Sequence, residues 1–106
     1  TPHPSSALRI LGGGARSDLW CQVHADVLGR RIERVADPMT AQLRGVALAA
    51  GLAVGRLTWS DIPGLVPVDR AFEPDSARHT AYAAVTAELP RLYAGQKGVF
   101  RRLARR

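Results

Sequence analysis

Three consecutive glycines, Gly12-Gly13-Gly14, separate the short apolar run Ala7-Leu8-Arg9-Ile10-Leu11 from a segment with helical spacing. No other feature limits the fold as tightly. The run before the glycines is short, mostly apolar and ends abruptly, so it reads as a strand. Behind them, the Ser17 hydroxyl is suited to cap a helix, and Asp18 suits the positive end of that helix. Leu19, Val23 and Val27 then recur at i, i+4 and i+8, with Trp20 and Leu28 widening the stripe. Gly29 supplies a left-handed stop. The unit is strand, glycine turn, helix.

A second strand is expected over Arg30 to Ala36, around Ile32 and Val35, closing at Asp37-Pro38 because a residue before proline is pushed into extended geometry. Thr40 is expected to cap a helix from about Ala41 to Val54. On that helix Ala41, Gly45 and Ala49 share a face almost bare of side chains, bordered by Leu48 and Leu52. Such a face allows close approach by a backbone or a flat ligand. Trp59 to Gly64 reads as a turn-rich connection, and Leu65 to Phe72 as an extended, proline-interrupted stretch at a sheet edge. Ser76 to about Tyr93 carries Ala81, Val85, Leu89 and Leu92 at helical spacing, with a kink or break at Pro90. The order predicts an α/β fold, βαβα plus a C-terminal helix.

A chain of 106 residues, 46% hydrophobic and 23% charged, makes one small globular domain and excludes a disordered or fibrous class. The longest low-charge stretch, Gly45 to Gly55, is too short and glycine-rich to span a bilayer, which takes roughly 20 apolar residues, so no membrane partner is expected. Residues 1–6 read as a linker; with no initiator Met and no leader, the sequence is expected to be a piece of a longer protein. The single cysteine, Cys21, excludes an internal disulfide and fits a reducing, cytoplasmic setting. The net charge of +6 is nearly all arginine, four of them within residues 101–106. With no aromatic residue interleaved to stack on bases, residues 97–106 read as a solvated, frayed basic tail rather than a nucleic-acid surface. A basic interaction module using that tail is the alternative from a different class.

A glycine-rich turn between strand and helix can converge successive N–H groups on an anion, and the helix behind adds unpaired donors. A tight bend that binds nothing has the same sequence, and the stretch alone does not choose between them. No lysine lies near the turn, so it is not a P-loop. The dinucleotide pattern G-x-G-x-x-G is met by Gly12 and Gly14, with Ser17 in place of the third glycine, and Glu33 falls where a ribose-binding acid is expected. A dinucleotide-binding (Rossmann) oxidoreductase fragment is therefore an alternative, weakened by Ser17 and by the lack of an apolar third strand after Val54. His3, His24 and His79 have no second ligand at metal spacing, so no metal site is expected among them. Cys21, beside Trp20, reads as a small core residue, Arg16 as an exposed loop-tip cation, Asp18 and Asp26 as solvent-facing, and Asp61 and Asp75 as turn or cap residues.

The run from Leu11 through Gln22, continuing over Ala25-Asp26-Val27-Leu28-Gly29, resembles the adenosine motif of FGGY carbohydrate kinases, on the xylulokinase side. Arg44-Gly45-Val46-Ala47-Leu48-Ala49-Ala50-Gly51-Leu52-Ala53-Val54-Gly55 resembles the family's next conserved run at the family's spacing, and Leu57 to Val68 with Phe72-Glu73-Pro74 resembles its C-terminal extension more weakly. The resemblance implies part of an actin-like ATPase (ribonuclease H-like) domain over residues 7–96. It also implies transfer of the γ-phosphoryl group of ATP, with Mg²⁺, to a sugar or polyol hydroxyl. Carried across, Gly12, Gly13, Gly14 and Ser17 become nucleotide contacts, and Ala41 and Gly45 the adenine wall. The family's catalytic aspartate, metal-binding acids and sugar pocket lie upstream of this motif. No catalytic or metal-binding residue is therefore assigned here, and activity of the chain alone is not expected. A sheet cut from a larger one exposes an edge and an apolar face, which favours self-association.

Overall fold

The computed structural model describes residues 7–105; the linker expected over residues 1–6 lies outside the described residues. Three strands, β1 (Ala7–Ile10), β2 (Arg31–Val35) and β3 (Val68–Phe72), form one sheet in the order β1-β2-β3. β1 and β2 run parallel, with Leu8 opposite Ile32, so a crossover must join them, and helix α1 (Asp18–Leu28) supplies it. β3 pairs antiparallel with β2, bringing Phe72 opposite Ile32. The extended edge segment read from Leu65 to Phe72 is thus a third strand, which the βαβα outline lacks. Its antiparallel direction departs from the all-parallel half-sheet that a dinucleotide-binding domain needs.

The core gathers Ala15, Cys21, Ala25, Ile32 and Phe72, with Leu8 and Ile10 packed against it. Cys21 and Ala25, one helical turn apart, are fully buried, and their small side chains let α1 lie close on the sheet. The Leu19, Val23 and Val27 stripe marks a different face, and Leu19 is 75% exposed. Helix α2 (Ala41–Ala53) follows the loop after β2, as its pattern predicts.

Asp26 does not face solvent: it is 2% exposed. Its Oδ1 accepts from the Asp75 backbone N–H at 2.8 Å and the Gln22 side-chain amide at 2.9 Å, and its Oδ2 from Arg78 Nε at 2.7 Å. The Asp75 carboxylate in turn caps helix α3 (Ser76–Thr86) by accepting from the Arg78 N–H at 2.8 Å. His79 Nδ1 meets the Asp26 carbonyl at 2.8 Å, and its ring lies where a Cβ on Gly29 would come within 2.7 Å. One buried carboxylate therefore docks α3 onto α1. Burial alone pushes the Asp26 carboxyl up, but the Asp75 N–H, the Gln22 amide and Arg78 outweigh it and hold it below the usual carboxylate range.

The helix expected over Ser76 to Tyr93 is two helices, because α3 stops at Thr86 and α4 runs from Leu89 to Leu103. Pro90 sits in the first turn of α4, where its missing N–H has no helical acceptor to satisfy. The frayed tail expected from residue 97 is corrected by this helix. Apolar residues at helical spacing continue to Leu103, and Arg101 and Arg102 complement the negative end of the helix. Among the described residues no helix is long and apolar enough to cross a membrane.

Replacing Asp26 by Asn puts an amide donor against donors and should cost about 1–3 kcal/mol in urea unfolding at neutral pH. The wild-type carboxylate has a depressed folded pKa. Its contribution is therefore complete above the unfolded value of about 3.9 and is lost as pH falls through the folded value. The gap between wild type and Asp26→Asn should narrow in acid; a gap independent of pH would contradict this role.

Candidate functional site

Gly12 leaves β1 with φ 91° and ψ −176°, a conformation open essentially to glycine alone. Its N–H donates to the Pro38 carbonyl at 2.9 Å, tying the turn to the loop that enters α2. Gly13–Arg16 then form one 3-10 turn, in which Ala15 N–H donates to the Gly12 carbonyl and Ser17 N–H to the Gly14 carbonyl, each at 3.1 Å. The amides of Gly13 and Gly14 open that turn, where a helical segment has no acceptor for its first donors. They are what the turn can offer an anion. A Cβ on Gly14 would stand 3.0 Å from the Trp20 ring, so Gly14 lets that indole lie against the turn. Arg16 is exposed, as read from its loop-tip position.

Ser17 caps α1, its Oγ accepting from Trp20 N–H at 3.2 Å. Behind the turn stands Arg34, with a side chain only 13% exposed. It donates to the Ala15 carbonyl at 3.3 Å, to Asp18 at 2.7 Å and to Asp69 at 2.9 Å, and lies 5.8 Å above the Phe72 ring. Arg70 also pairs with Asp18 and covers Phe72. The Cys21 thiol donates to the same Ala15 carbonyl at 3.3 Å, and burial pushes its pKa up, so it stays a protonated donor rather than a nucleophile. An arginine in an alternating strand reads as a surface residue, so this clamp is not legible from sequence pattern.

The small-residue face of α2 forms the other wall. Ala41, Arg44, Gly45 and Leu48 face Leu11, Val35 and Val66 across an open cleft of about 190 Å³. A Cβ on Gly45 would meet nothing within 4 Å, so the cleft has free space there. Arg44 Nη2 donates to the Ala36 carbonyl at 2.9 Å, whereas Nη1 is buried without a hydrogen-bond partner among the described residues. The structure thus brings Leu11-Gly12, Ala41 and Gly45 to one place, with Gly13 close to Met39 at the mouth of α2. Ser17 is not among the residues lining the cleft. Arg44 belongs to the site although sequence pattern did not single it out.

An apolar cleft beside free backbone donors fits a flat base with an attached phosphate chain. A metal ion fits less well: among the described residues no three His, Cys, Asp or Glu side chains gather to hold one. Asp18 and Asp26 are engaged by arginines.

The profile described as FGGY family of carbohydrate kinases, C-terminal domain, matches residues 1–54, half of the chain. The chain belongs to that family. A glycerol kinase of Acaryochloris marina is 39% identical over 83 residues, covering 76% of this chain and 16% of that protein. A xylulose kinase of Staphylococcus epidermidis is 31% identical over 81 residues, with the same coverage of 76% and 16%. Among solved structures, xylulose kinase from Rhodospirillum rubrum superposes with a TM-score of 0.67 at 30% identity, covering 89% of this chain and 19% of that one. Ligand-bound xylulose kinase from Lactobacillus acidophilus reaches a TM-score of 0.71 at 17% identity over 87% of this chain and 19% of its own, a likeness of fold. The chain spans about a sixth of the length of the curated relatives it matches. Its fold is that of part of the C-terminal domain of these actin-like sugar kinases.

Two glycines of the site should respond in opposite directions. Gly12→Ala forces a side chain into a glycine-only conformation and should cost about 1–3 kcal/mol. Gly45→Ala, in an open helical position, should gain roughly 0.5–1 kcal/mol. Thermal melts of both variants check this; equal destabilisation would mean that Gly45 is packed rather than open.

Proposed function

We propose that this chain supplies the adenosine and phosphate side of an ATP site in a carbohydrate kinase. The full-length enzyme would transfer the γ-phosphoryl group of ATP to a hydroxyl of a sugar or polyol. The observation that carries the reading is the junction of the glycine turn with the bare face of α2 across an apolar cleft. Adenine would lie against Ala41 and Gly45. The amides of Gly13 and Gly14 would meet the phosphates, while Gly12 sets the bend and Ser17 contacts the adenosine from its cap position. The turn lacks a lysine, so binding there relies on N–H groups and the α1 dipole.

ATP brings the reactive phosphoryl group and, in kinases generally, travels with Mg²⁺. These residues hold and orient the nucleotide; the acceptor-activating carboxylate, the Mg²⁺ ligands and the sugar pocket would come from other parts of the full-length enzyme. The chain alone is then a binding element without turnover. Glycerol and xylulose kinases both stand among the relatives. We favour a xylulose-like acceptor because of the Leu11 to Gln22 run, and a cytoplasmic setting because ATP and reduced thiols coexist there.

Titrating ATP or ADP into isotope-labelled chain should shift the amides of Gly13, Gly14 and Ser17. NAD should bind no tighter and leave Glu33 unmoved. Gly45→Leu should keep the fold, because that position is open, yet remove the adenine-dependent gain in affinity of ATP over inorganic triphosphate. Wild-type affinity in Gly45→Leu, or shifts confined to other amides, would refute the assignment.

A further inference from the structure

Among the described residues, Arg44 is where the site holds a buried side-chain donor with nothing to receive it. It follows Ala41 by three residues and precedes Leu48 by four, so it shares their face of α2 and lines the cleft with them. Of the described residues lining that cleft, Arg44 alone carries a polar side chain. Its Nη2 donates to the Ala36 carbonyl at 2.9 Å, which fixes one edge of the guanidinium. Its Nη1 is buried and has no hydrogen-bond partner among the described residues.

A guanidinium has donors and no acceptor, and in proteins it is not deprotonated. Arg44 therefore cannot relieve the unpaired donor by losing a proton, as a buried lysine or histidine does. The cost ends only when an acceptor arrives. A single hydrogen bond tethers the group, so it can pivot on the Ala36 contact and bring Nη1 to the cleft. The cleft is the way in, about 190 Å³ between walls that both belong to this chain. A helix with its side chains is about 10 Å across, so this slot takes a flat group or one side chain, not a packed element.

We propose that Arg44 Nη1 donates to a ring nitrogen of the adenine base and so sets which edge of the base faces α2. The inference rests on the nucleotide reading of the site given above. Adenine suits the donor, because its ring nitrogens accept whereas its amino group donates and is turned away. The phosphates are placed elsewhere: Gly13 and Gly14, whose amides meet them, stand outside the lining of the cleft. A site that hydrogen-bonds a ligand atom discriminates against an analogue lacking it, since the buried donor is then left unpaired. Arg44 is thus a specificity-determining residue in a slot whose other lining side chains select by shape alone.

Two measurements use the unchanged chain. In side-chain guanidinium spectra of isotope-labelled protein, ATP should shift the Arg44 Nη signals and inorganic triphosphate should not. Among ATP analogues with ring N1, N3 or N7 replaced by C–H, one should bind about tenfold more weakly than ATP and the other two like it. In Arg44→Met that same analogue should bind as ATP does, a coupling that a merely structural arginine would not produce. Should Arg44→Met fail to fold for want of the Ala36 tether, the first two measurements decide. ATP binding no better than triphosphate overturns the inference and the nucleotide reading together. A gain for ATP with unmoved Arg44 signals, or with all three analogues equal to ATP, overturns the inference alone. Arg44 signals moved by triphosphate would assign the donor to phosphate. Signals already shifted in the nucleotide-free full-length enzyme would assign it to another segment of that enzyme, and either result overturns the inference.

Discussion

A single backbone conformation at Gly12 organises the site. With φ at 91° the chain turns off the sheet and points the Gly12 N–H at the Pro38 carbonyl. That bond holds the end of β1 beside the entry to α2, and the cleft between Leu11, Val35 and Ala41 exists because of it. The next residues must then wind into the short 3-10 turn, whose leading amides are left for something outside the backbone. A side chain at position 12 would strain the bend that creates both walls.

Magnitudes explain why charged side chains carry so much of this small fold. The apolar core is built from few residues, several of them as small as alanine and cysteine. Exposed ion pairs such as Arg91–Glu88 contribute little, about 0–1 kcal/mol, because water competes for both partners. Arg34 and Asp26 differ because they are largely withdrawn from water, where a donor or acceptor left unpaired costs about 1–3 kcal/mol. Arg34 fixes the back of the glycine turn, and Asp26 fixes α3 on α1. Between them they hold the elements that the hydrophobic core only partly secures.

Much of this was legible in the sequence, for identifiable reasons. Glycine at a forced bend, Ser17 and Gly29 at the ends of α1, and the small residues of α2 each express a local rule, and local rules survive translation into structure. Contacts between distant segments do not show that way. Asp26 looks like a solvent residue until Asp75 and Arg78 arrive from far along the chain, and Arg34 looks like a surface residue until the turn closes over it. The Leu19, Val23 and Val27 stripe was the larger apolar signal on α1, yet the sheet selected Cys21 and Ala25, because small side chains permit close approach. Pro90 reads in the sequence as a kink or break within one helix, whereas in the structure it opens a second one, because proline is at home in the first turn of a helix.

The central claim is that the glycine turn and the α2 face act together on one adenine nucleotide. Intermolecular nuclear Overhauser effects between bound ATP and the labelled chain test it most directly. The adenine H2 and H8 protons should give cross-peaks to the methyl groups of Ala41 and Leu48, with the triphosphate shifting the Gly13 and Gly14 amides in the same sample. Cross-peaks from adenine to Val23 or Val27 on α1, with none to Ala41 or Leu48, would contradict it.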